Sequence, residues 1–240
     1  MEEVLTALLT NNPQSSDTQF IRQLLQESRQ TKPIGARLKQ LSARLLGLPY
    51  LRNPLIGSPS EAEVLVTRMD GFDCVTFLET LLALARIRYA EDFPTELRKL
   101  RYANGEVDYR NRLHYATDWS RHQVQRGVLT EMTLGEESLP REKMLSFVKA
   151  LPPKISFFRY FPKQRIDSVS RWLLDGDVIY FVSGRDGLDV SHMGLIVRDN
   201  QRLLMRHATR SHHVVFEQDL FEFFRLNKMS GFIINRPKDV

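Results

Sequence analysis

Cys74 is the only cysteine in the 240 residues, so it has no intrachain disulfide partner. It follows Asp70-Gly71-Phe72-Asp73, a turn with two carboxylates. It precedes an apolar run at helical spacing, Phe77, Leu78, Leu81, Leu82 and Ala85. A short carboxylate ahead of a helix accepts hydrogen bonds from the first free N–H groups, so Asp70 or Asp73 is expected to cap it. The thiol then stands in the first turn, where unpaired N–H groups and the helix dipole favour a thiolate. A buried cysteine packing as a small hydrophobe is the plainer alternative.

A thiolate nucleophile needs a base that takes its proton and later gives one to the leaving amine. That base in turn needs a partner to fix its tautomer. Six histidines are available. His192 opens one expected strand and His207 closes the next, with Asp199-Asn200 as the turn between them. In an antiparallel hairpin the start of one strand faces the end of the next, which makes the two rings neighbours. If the Cys74 helix packs across that sheet, Cys74 serves as nucleophile, His192 as base and acid, and His207 as orienting residue. Taken alone, a histidine between apolar strand residues is more often a satisfied core residue.

The elements that must position these groups follow from periodicity. Leu5, Leu8 and Leu9, then Phe20, Ile21, Leu24 and Leu25, fit two amphipathic helices broken at Asn11-Asn12-Pro13. A third helix is expected over 36–46, closed by Gly47, and extended chain over 48–54. Residues 58–68 carry both cap-like and strand-like signals. A helix from Thr95 to Tyr102 and a short one capped by Thr117 or Asp118 follow, flanking a loop over 106–114. Residues 130–165 read as helical stretches broken by proline. Strands are expected over 177–182, 191–197, 202–207 and 213–216, a helix over 218–226 and a last strand over 229–235. Helices first and a strand meander later predict an α+β fold, with N-terminal helices and the cysteine helix packed on a C-terminal antiparallel sheet. The expected organisation is a helical extension over 1–46 and a catalytic domain over 47–240.

Composition narrows the function class. The net charge of +5 comes from scattered Lys and Arg, without zinc-finger spacing or an RNA-binding motif, so no nucleic-acid partner is expected. No apolar run is long enough to span a membrane, and a monomer is expected. The opening Met1-Glu2-Glu3-Val4-Leu5 lacks a leader pattern, which implies a cytoplasmic protein, or a periplasmic or secreted one whose leader has been removed. His212-His213 has no accompanying ligand cluster, and the glycines form no dinucleotide or phosphate loop. No metal or cofactor is expected.

The ordered set Asp73-Cys74-Val75-Thr76-Phe77, Ser191-His192-Met193-Gly194-Leu195 and His207-Ala208 resembles the three motifs of NlpC-type cell-wall cysteine hydrolases, whose core is papain-like. Gly47-Leu48-Pro49-Tyr50, Arg112-Leu113-His114-Tyr115 with Asp118-Trp119, Asp175-Gly176-Asp177-Val178-Ile179, Gly231-Phe232 and Arg236-Pro237 extend the resemblance to the N-acetylmuramoyl-L-alanine amidase-like branch, over about residues 45–237. One departure is Thr209 where that pattern has serine.

The resemblance implies amide hydrolysis in peptidoglycan or muropeptides, between muramic acid and L-alanine or within the stem peptide. It implies Tyr50 beside the oxyanion, with the Cys74 N–H as a second donor and Asp73 adjoining; an aromatic anchor in a proline turn is the other reading of Tyr50. The 108–119 segment is polar and aromatic together. Arg112 is therefore a candidate for a stem-peptide carboxylate, and Tyr115 and Trp119 for stacking on sugar. His114, Asp118 and Ser191 join them as candidate substrate contacts. The alternatives are packing of that loop over the core, a papain-like acyltransferase or peptidase with a non-cell-wall substrate, and a non-catalytic muropeptide-binding module.

Overall fold

A computed structural model describes residues 15–239. The helix expected around Leu5, Leu8 and Leu9 lies outside those residues. Helices α1 (Ser15–Ser28) and α2 (Ile34–Arg44) turn Ile21, Leu24 and Leu25, and Leu38 and Leu41, inward at three- and four-residue spacing. Both stripes enter the same core as α3 (Cys74–Arg86), which is buried all round from Thr76 to Ala85. An α-helix apolar on every side belongs inside a domain, and α3 is the central helix here. Alongside it run α4 (Phe93–Arg101) and then α5 (Ala116–Gln125).

The C-terminal half is an antiparallel sheet built from β3 (Leu129–Glu131), β4 (Leu139–Leu145), β5 (Lys154–Pro162), β6 (Val178–Val182), β7 (Val190–Asp199), β8 (Arg202–Thr209), β9 (Val214–Asp219) and β10 (Gly231–Pro237). The order is β4-β5-β10-β6-β7-β8-β9, with β3 pairing the far end of β10. A short helix α6 (Ile166–Val169) precedes β6, and α7 (Leu220–Leu226) follows β9. The four strands expected after residue 177, the helix and the last strand are all present. Residues 130–165 differ from expectation, forming β3, β4 and β5 instead of helical pieces. Residues 56–64 form a separate hairpin, β1 (Ile56–Ser58) and β2 (Glu61–Val64). The α5 helix starts at Ala116, after Tyr115 and two to three residues earlier than expected, and neither Thr117 nor Asp118 caps it.

Alternation along the strands divides the sheet into two faces. Tyr180, Val182, Met193, Leu195, Leu204 and Ala208 share a core with α3, while Ile179, Phe181, Ile196 and Met205 pack with Phe223 and Phe224 of α7. His192 and His207 belong to the α7 face: both rings contact Phe223. The Asp175-Gly176-Asp177 segment anchors the sheet to the helices. Gly176 has φ +86°, and a Cβ there would lie 2.6 Å from the Gly35 Cα in α2. Asp177, fully buried, receives Arg236 Nε and Nη2 at 2.8 Å each, which ties the start of β6 to the end of β10.

Candidate active site

The start of α3 is fixed by Asp73. Its Oδ1 accepts the N–H groups of Val75 at 3.1 Å and Thr76 at 2.8 Å, and the Thr76 hydroxyl accepts the Asp73 N–H at 2.9 Å. This reciprocal pair is a capping box. Asp70 is not the cap; it is held by Arg68 at 2.6 and 2.8 Å. Cys74 is thereby placed in the first turn. Its thiol does not benefit as the dipole argument alone implies, because burial and then the Asp73 carboxylate push it up to about 12. The backbone N–H groups of Met193, Cys74 and Val75 act in the opposite direction and favour the anion.

Register brings the histidines together. Leu195 pairs with Arg206 and Ile196 with Met205, so His192 and His207 fall on one face at the open end of β7 and β8. His192 Nε2 and His207 Nδ1 are 2.5 Å apart, with the rings edge to face. Phe181 and Phe223 flank His192 with ring centroids at 6.2 and 5.9 Å. Burial among these rings holds His192 down at about 4. Burial, followed by the neighbouring His192, holds His207 at about 3. Near neutral pH the resting site therefore contains a thiol and two uncharged imidazoles.

Cys74, His192 and His207 line a single cleft of about 590 Å³, together with Tyr50 and Ser191. Tyr50 is held by its N–H to the His213 carbonyl at 2.8 Å and by a bridge to Phe72, the residue before Asp73. Burial and the adjacent Cys74 and Asp73 raise its phenol, as expected for a hydroxyl standing close to the thiol. The remaining walls include Arg210, Gln218, Phe223, Leu226, Asn227 and Met229. Sequence reasoning missed these residues. The one available signal was the amphipathic helix after β9, which delivers Phe223 and Leu226.

The 112–119 candidates lie outside this lining and are engaged within the protein. Arg112 is paired with Glu63 at 3.0 Å, and His114 Nε2 is 2.7 Å from the Tyr109 carbonyl. The Tyr115 hydroxyl accepts the Val148 N–H at 3.1 Å, and Asp118 holds Lys154 and Arg121. Trp119 is buried against Tyr180. All five make contacts within the protein that brace the scaffold. Asp189 completes that bracing: its Oδ2 accepts both the N–H and the hydroxyl of Thr117 at 2.7 Å, docking α5 onto the start of β7. Among the described residues, no cluster of three or more His, Cys, Asp or Glu is placed to hold a metal.

This fold and this cleft have counterparts among known proteins. The chain belongs to the AmiA-like, N-acetylmuramoyl-L-alanine amidase-like family, whose model matches residues 40–232. It is similar in structure to an N-acetylmuramoyl-L-alanine amidase from Bacteroides uniformis, with a TM-score of 0.76 and 26% identity over 86% of this chain and 99% of that one. A protein from Legionella pneumophila shares the fold, with a TM-score of 0.81 and 23% identity over 92% of this chain and 94% of the other. Among curated proteins, none matches.

Proposed function

We propose that this chain is an NlpC-type, papain-like cysteine hydrolase that cleaves the amide between muramic acid and L-alanine in peptidoglycan fragments. The observation that carries this reading is the convergence of Cys74, His192 and His207 on one cleft, in a chain of an amidase-like family. Because the resting pair is neutral, the thiol proton moves to His192 Nδ1 as sulfur attacks the lactyl carbonyl carbon. The Cys74 N–H and the Tyr50 hydroxyl are the donors proposed for the oxyanion. Collapse of the tetrahedral adduct breaks the C–N bond, and His192 gives its proton to the departing alanine amine. Water, deprotonated by His192, then resolves the thioester and regenerates the thiol.

Arg210 stands exposed on the cleft wall, where it suits the carboxylates of a stem peptide. Mass spectrometry of defined muropeptides incubated with wild type and Cys74→Ala tests the assignment. Free stem peptide from the wild type alone is the expected result. Cleavage inside the stem would make the chain an endopeptidase of the same mechanism, and no product from any muropeptide would refute the substrate class.

A further inference from the structure

We propose that Gln218 is a positioning residue whose side-chain oxygen accepts the Nε2–H of His207, setting the tautomers of both imidazoles and leaving His192 Nδ1 free to take the Cys74 proton. This rests on the cysteine–histidine reading above. The contact between His192 Nε2 and His207 Nδ1 holds one proton, and it can sit on either ring. If His207 donates, a neutral His192 carries its proton on Nδ1 and has no lone pair for the thiol. If His192 donates, its Nδ1 is free and His207 must carry a proton on Nε2. Which state prevails depends on what that far nitrogen meets.

His207 is 1% exposed, and its Nε2 is buried without a hydrogen-bond partner of regular geometry among the described residues. The strand register supplies an acceptor. His207 lies opposite Phe216 and Met205 opposite Gln218, so Gln218 shares the His207 face two residues along β9. It lines the same cleft, and its side chain acts on His207 in the direction expected of an oxygen accepting a ring N–H.

The other groups facing His207 do not fill that role. His192 occupies Nδ1, while His212, from the turn before β9, is stacked on Phe216 and lies 3.2 Å from the Ser211 hydroxyl. Arg210 is a donor only. Of the hydroxyls in the lining, those of Thr209 and Ser211 bond each other at 2.9 Å and that of Ser191 donates to the Phe181 carbonyl. No carboxylate lines the cleft, and the other amide, Asn227, lies past α7 with its N–H bonded to the Phe223 carbonyl, whereas Gln218 sits on the strand paired with β8.

The test uses the whole chain, with ¹⁵N NMR of the histidine rings and steady-state kinetics on a muropeptide. In the wild type, both His192 and His207 are expected as Nε2–H tautomers. Gln218→Met, close in size but lacking an acceptor, is expected to mix the tautomers and to lower kcat by about ten- to a hundredfold with KM little changed. Gln218→Glu keeps the acceptor, so it should retain the Nε2–H tautomer and most of kcat, and shift the acid limb of the pH profile upward. A wild-type His207 protonated on Nδ1 would overturn the proposal, as would unchanged kcat in Gln218→Met or equal loss in the two variants. The tautomer reading needs no turnover. An inactive wild type with His207 protonated on Nε2 would therefore refute the assigned activity and still support the role of Gln218.

Discussion

Helix α3 carries two buried clusters of titratable groups, and they are built on opposite rules. Around Glu79 every charge is matched. Arg101 bonds Glu79 at 2.8 Å with both side chains 2% exposed, and also reaches the Val66 carbonyl at 2.6 Å. Nearby, Tyr102 and Arg112 converge on Glu63. At the first residue of the same helix, Cys74 lines a cleft with two imidazoles that burial keeps uncharged. Matched charges hold their geometry, and removal of one partner leaves a buried charge uncompensated. Neutral groups contribute no charge pairing to the fold but can exchange protons with a substrate. The first cluster braces α3 and the 101–112 segment, and the second is available for chemistry.

The largest expected effect is on the reactive cluster. Cys74→Ala and His192→Ala should each lower kcat by about 10⁴-fold or more, while thermal unfolding stays close to wild type. Residual turnover near wild type in either variant, at equal circular dichroism, would contradict the assignment. The matched cluster should respond in the opposite sense. Arg101→Met is expected to cost about 3–5 kcal/mol in urea unfolding because Glu79 is left buried and unpaired. A change within about 0.5 kcal/mol would place Arg101 among ordinary surface residues.

A pH series sharpens the contrast further. His192 and His207 titrate at about 4 and about 3 when folded, below the 6.5 of an unperturbed imidazole. Between these values the unfolded chain binds protons that the folded chain does not. Stability should therefore fall as pH drops from about 6.5 towards 4 and be unaffected by these groups above that window. His207→Gln should flatten that slope, measured as the urea midpoint against pH. A smaller effect concerns Asp73, which caps α3 but opposes the thiolate. Asp73→Asn keeps a capping side chain and removes the charge, so iodoacetamide should alkylate Cys74 faster at a given pH. An unchanged rate would remove Asp73 from the electrostatics of the thiol.

Much of the reactive cluster could be read from local pattern. Alternation marks β6 to β9, and the turn at Asp199-Asn200 puts His192 and His207 side by side. The cap before Cys74 is a short-range signal as well, although the sequence left Asp70 and Asp73 equal; the Arg68 pairing of Asp70 separates them. The bracing cluster was not readable in this way. Arg112 finds Glu63 and Arg101 finds Glu79 across long stretches of chain, and an isolated polar-aromatic segment looks the same whether it meets substrate or scaffold. The β4–β5 hairpin was hidden for another reason. As an outer ribbon it leaves Met144, Ile155 and Phe157 exposed and is interrupted by prolines at both ends, so no clean two-residue alternation survives. Gln218 lacked a signal of its own until β9 was placed beside β8.

The most direct test of the central claim is intact-protein mass spectrometry after rapid acid quench during turnover of a disaccharide-peptide substrate. The account predicts a transient adduct on Cys74 equal in mass to the muramoyl-bearing fragment less water, released as stem peptide accumulates, and absent in Cys74→Ala. Product formation without any adduct on Cys74, or an adduct carrying the peptide instead of the sugar, would contradict it.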